Sequence, residues 1–149
     1  MQQFRNMTEF AKVMEKQVLT SFLEQEAEKI KELIRTYIDD RFYKLFDPEQ
    51  YIRTEQLLNS ATCSKVEKTG QYKYQIVIYL NEDDVVYKDD DASYVWMLAS
   101  VGYHGIPIEA FHTEGRFWDE TLDDINSGKT VNIFQDFKSY AISKGFVVR

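Results

Sequence analysis

The sequence predicts an α+β fold, with a long N-terminal helix packed on a small antiparallel β-sheet and short C-terminal helices beside it. Three observations predict it. Apolar residues up to about position 46 recur at helical spacing. From Ala61 the period changes to two and ends in a β-branched and aromatic run, Tyr72 to Leu80. The remaining chain carries short helical patterns punctuated by glycine. With 149 residues and 15% aromatics, including ten Tyr and ten Phe, the chain has the material for one packed domain over 1–149 without covalent staples.

Residues 1–6 are polar and expected to fray. Asn6 with Glu9 three residues later forms a capping-box pattern that starts the long helix, predicted over 7–46. Phe10, Met14, Leu19, Phe22, Leu23, Ala27, Ile30, Leu33, Ile34, Tyr37, Ile38 and Phe42 supply its apolar side. Glu24, Glu28, Lys31, Glu32 and Arg35 supply a solvated one. About 38 helical residues span about 57 Å, against a radius of gyration of about 15 Å for a compact domain of this size. The expectation is either a break near Thr20-Ser21 or an overhang covered by a second copy.

Residues 47–60 read as a helical hinge motif between the two architectures. Asp47 can cap it, Pro48 suits the first helical position, and Gln50 lies where a capping box needs it. Tyr51, Thr54, Leu57 and Leu58 form a stripe to pack on the long helix, and Asn59-Ser60 ends the turn. In the sheet-plus-helices region, 61–149, Lys68-Thr69-Gly70 is the turn of a hairpin whose return strand is Tyr72–Leu80. Val85-Val86-Tyr87 would extend it. Helices follow over 92–101, over 116–126 with Gly128 behind it, and from Asn132 to Gly145. Phe146-Val147-Val148 is expected as an edge strand.

Charge narrows the function. The chain carries a net −7, and residues 82–124 hold twelve carboxylates against Lys88 and Arg116. A duplex-binding surface needs a basic patch, so specific binding to nucleic acid is not expected. Glu82, Asp83, Asp84, Asp89, Asp90 and Asp91 form an acidic loop without the spacing or glycine of a calcium loop. His104, His112, Glu109 and Glu114 match no zinc signature. No nucleophile elbow or phosphate loop is present. The expectation is a non-enzyme with no cofactor and no metal. Cys63, the one cysteine, reads as a small apolar strand residue and suits a reducing compartment. Neither a secretory leader nor a membrane span is expected from the sequence pattern.

The pattern Tyr51-x-Arg53-Thr54-x-x-Leu57-Leu58-Asn59-Ser60, behind a long charged helix, resembles the neck proteins of tailed bacteriophages, a family described as head–tail joining, tail-completion or tail-component proteins. Gly102-Tyr103-His104-Gly105, then Phe117-Trp118, then Lys144-Gly145 continue the resemblance in order over residues 8–146. Glu55 stands where that family usually has a small residue.

The resemblance implies a structural virion protein of the neck, assembled in the bacterial host cytoplasm. It would form a ring of about six or twelve copies that joins the head and portal side to the tail. Its partners would be itself, adjacent neck and portal or adaptor proteins, and the tail terminator or tail tube. DNA would be passing cargo, and no membrane is involved. Phe22, Ile30, Ile34, Trp96, Phe117 and Trp118 are the candidate interface residues, and the acidic loop is the candidate lumen lining. Two other readings are a tail terminator and, from a different class, an acidic inhibitor or binding module that mimics DNA.

Overall fold

The computed structural model describes residues 4–44, 56–85 and 116–147. Helix α1 (Met7–Met14) runs through a π turn (Glu15–Leu19) into α2 (Thr20–Ile38) and on through a second π turn (Asp39–Tyr43). Every junction keeps right-handed helical backbone angles, so this is one continuous helix, and Thr20-Ser21 does not break it. Its start is the expected cap: the Asn6 side chain accepts from the Glu9 N–H at 2.9 Å. The return bond lands one residue early, on the Arg5 N–H at 2.8 Å.

The π turns have a sequence cause. Phe10, Met14, Val18, Phe22, Glu26, Ile30, Ile34 and Ile38 repeat every four residues, and all are buried or half-buried. At 3.6 residues per turn, such a line drifts by about 40° at each step. A wide turn takes in an additional residue and pulls the drifting line back towards the core.

That line carries two apolar clusters in series. The N-terminal cluster joins Met14, Val18 and Phe22 to Ala141 and Phe146. The C-terminal cluster joins Ile34 and Ile38 to Leu57, Leu58 and Phe117. Each fully buried aliphatic or Phe side chain of this kind stabilises by about 1.5–3 kcal/mol. The chain thus covers the long apolar seam from both ends by itself, and the seam does not require a second copy to shield it.

The strands form one hairpin bent in the middle. β1 (Ala61–Cys63) pairs antiparallel with β4 (Ile78–Leu80), and β2 (Glu67–Gly70) with β3 (Lys73–Gln75). At the bend Ser64 bridges the arms: its N–H donates to the Val77 carbonyl at 2.8 Å and its hydroxyl accepts from the Val77 N–H at 3.1 Å. The turn falls beyond Gly70, which pairs with Lys73, and Tyr72 takes the left-handed position with φ 58°. Val85 is buried but lies outside any strand, after a 3₁₀ turn (Glu82–Asp84).

Helix α3 (Phe117–Ser127) ends on Gly128 at φ 66°, and α4 (Ile133–Ser143) starts with the Asn132 side chain accepting from the Gln135 N–H at 3.1 Å. Phe146 does not add an edge strand. It is buried against the helix start, stacked on Phe4 with ring centroids 5.9 Å apart and set edge-on to Phe10 at 6.2 Å. Three aromatic rings gain more from mutual burial than Phe146 would from lone edge pairing.

Candidate functional site

Three polar nodes fasten the surrounding elements to the long helix. In the first, Glu15, inside the π turn, accepts from both Lys68 Nζ and the Tyr74 hydroxyl of the hairpin. These bonds hold the Glu15 carboxyl below its usual range. In the last, Asp124 of α3 is buried and accepts four hydrogen bonds. Its Oδ1 takes the Thr130 N–H at 2.7 Å and the Val131 N–H at 3.3 Å. Its Oδ2 takes the Thr130 hydroxyl at 2.7 Å and the Tyr37 hydroxyl at 2.9 Å. Burial opposes the charge, but the Thr130, Tyr37 and Val131 donors outweigh it and keep this carboxyl low. Arg41 and Glu120 pair alongside at 2.6 Å. Between these nodes lies Glu26, with Lys29 and Asp136.

The motif residues within the described chain are structural. Leu57, Leu58 and Ser60 are buried, and the Ser60 hydroxyl closes the turn on the Leu57 carbonyl at 2.7 Å. The Ser60 carbonyl accepts from the Asn81 N–H at 2.7 Å, so the motif's last residue starts the sheet. Asn59 is exposed. Tyr51, Arg53 and Thr54 lie outside the described residues.

Phe22, Ile34 and Phe117, expected at an interface, are each no more than 5% exposed inside the chain's own clusters. They have no surface left to offer a second copy. Ile30 and Trp118 are half-buried against the C-terminal cluster, and Trp96 lies outside the described residues. Asp83 and Asp84 are exposed; the Glu82 side chain and Asp89, Asp90 and Asp91 are outside what is described.

What the fold leaves outward is apolar surface on α4. Phe134 is 69% exposed and Ile142 51%, with Lys138 between them at four-residue intervals, and Val147 beyond the helix is 59% exposed. A single exposed hydrophobe is ordinary. Phe134 and Ile142 share one edge of α4 with Lys138 between them, and Ile133 is exposed next to Phe134. Helical spacing alone puts Phe134 on one stripe with Phe137, Tyr140 and Ala141, but it does not fix which edge of that stripe a neighbouring helix covers. A groove of about 490 Å³ also opens between the long helix and the bent hairpin, lined by Thr20, Glu24, Glu28, Cys63, Lys65 and Ile76 among others.

Among the described residues, no three His, Cys, Asp or Glu side chains are placed to hold a metal, and no helix is long and apolar enough to cross a membrane. The YomN family model matches residues 6–141. The chain belongs to the YomN family. This family is phage-derived, which makes the chain a phage-associated protein. The match runs from the N-cap of the long helix to Ala141 within α4, so it takes in the buried residues of the C-terminal cluster and all those of the N-terminal one except Phe146. No curated protein and no solved structure matches the chain.

Proposed function

We propose that this chain is a structural virion protein of a phage neck, assembling as a ring that joins the head and portal side to the tail. Membership in a phage-derived family and the order of the sequence motifs support the reading. The observation that carries it is the outward line Phe134, Ile142 and Val147, whose proposed occupant is a second copy of this chain. A repeated head-to-tail contact of that kind closes into a ring when its rotation closes. The buried seam of the long helix plays no part in this contact. It makes each protomer a rigid block, and the α4 edge does the joining. Exposed Asp83 and Asp84 would repel DNA passing as cargo. The protein acts by geometry, without catalysis or a cofactor.

The test is the mass of the full-length chain in solution, by light scattering, beside the double variant Phe134→Asp/Ile142→Asp. The wild type should form a closed oligomer and enter purified virions. The variant should stay a folded monomer with unchanged circular dichroism. A wild-type chain that stays monomeric at high concentration and is missing from virions would refute the proposal.

A further inference from the structure

Glu26 is the one charged member of the four-residue line from Phe10 to Ile38. It stands between Phe22 of one cluster and Ile30, which packs on the other. It is 3% exposed, and neither of its carboxyl oxygens has a hydrogen-bond partner. The nearest cation, Lys29, lies 3.5 Å from Glu26 Oε2 but is closer to Asp136 Oδ2, at 3.1 Å. One ammonium therefore serves two carboxylates, and the less exposed of the two gets the weaker contact. An ionised, unbonded carboxylate in such a place is costly, whereas the neutral acid is tolerated.

We infer that Glu26 is a proton-binding site that latches α4 to the long helix: it is neutral when the seam is closed, and loss of its proton to solvent loosens α4. Among the described residues, the charged groups facing it are Lys29 from its own helix and Asp136 from α4. The α3 groups Asp124 and Glu120 act on Tyr37 and Arg41, about three and four turns further along. The hairpin groups Lys68 and Tyr74 meet Glu15, three turns back.

The sign follows from the surroundings. Burial raises the Glu26 carboxyl above the ordinary 4.5, the Lys29 charge offsets part of this, and Asp136 adds to it. The folded state therefore holds the proton more tightly than the unfolded chain does. The associated stability is fully present below pH 4.5 and is lost as pH rises through the raised folded value. The inference does not rest on ring assembly, although α4 also carries the edge proposed to join protomers.

Hydrogen exchange of the α4 amides in the full chain, followed by mass spectrometry from about pH 5 to 8 and corrected for intrinsic chemistry, tests it. With one proton released on opening, the open population should rise by up to about tenfold per pH unit between 4.5 and the raised Glu26 midpoint of the closed state, and level off above it. In Glu26→Gln, which cannot ionise, it should stay flat. Carboxyl carbon NMR on the wild type reads the midpoint directly, and Asp136→Asn should move it down by freeing Lys29 for Glu26. A wild-type midpoint at or below 4.5, or the same pH-dependent opening in Glu26→Gln, would overturn the inference.

Discussion

Replacing Asp124 tests whether the loop after α3 is held to the long helix by one buried carboxylate. In Asp124→Ala the Val131 N–H, at a buried residue, loses its acceptor, which costs about 1–3 kcal/mol. The Thr130 and Tyr37 donors sit closer to solvent, and losing their bonds to a charged acceptor costs about 1.5 kcal/mol or more. The total is about 3–5 kcal/mol, well above the ~1 kcal/mol typical of a point substitution. Asp124→Asn should cost only about 1–2 kcal/mol, because its oxygen can still accept from both backbone N–H groups while its amide donates to the two hydroxyls.

Urea unfolding followed by circular dichroism and by fluorescence of Trp118, which packs on the C-terminal cluster, measures both. The pH dependence gives a second check. The lowered carboxyl contributes stability that is present above the ordinary aspartate value of 3.8 and is lost as pH falls through the lower folded value. The gap between wild type and Asp124→Asn should therefore narrow in acid. An alanine variant within ~1 kcal/mol of wild type, or an asparagine variant as damaged as alanine, would show that the loop is held by something else.

Two further substitutions probe the N-terminal cluster and the α3–α4 joint. Phe146→Ala should destabilise by about 3 kcal/mol and speed proteolysis near Phe4, since it removes the ring on which both Phe4 and Phe10 pack. Unchanged cleavage at the N-terminus would count against that role. Gly128→Ala must hold a side chain at φ 66° and would bring its Cβ to 2.6 Å from the Asn132 amide, the N-cap of α4. A loss of about 1–2 kcal/mol in urea is expected, and a neutral result would mean that the cap moves aside freely.

The sequence by itself determined what depends on neighbours along the chain. The Asn6 and Asn132 caps and the left-handed stop at Gly128 rest on a few adjacent residues, and each is where local chemistry puts it, whereas the hairpin turn falls just beyond the Lys68-Thr69-Gly70 signal. Which edge of a helix is covered, and by what, depends on partners far along the chain, and only the tertiary structure decided it. Phe146 became a plug instead of a strand because Phe4 and Phe10 lie beside it. Val18 and Glu26 carried a legible signal, since both fall on the four-residue line, but spacing alone does not bury a carboxylate. The long seam looked too extended for one subunit because sequence spacing reports helix length and says nothing of coverage. Leu57, Leu58 and Phe117 close over one end and Ala141 and Phe146 over the other, and the exposed apolar residues of α4 lie on its outer edge.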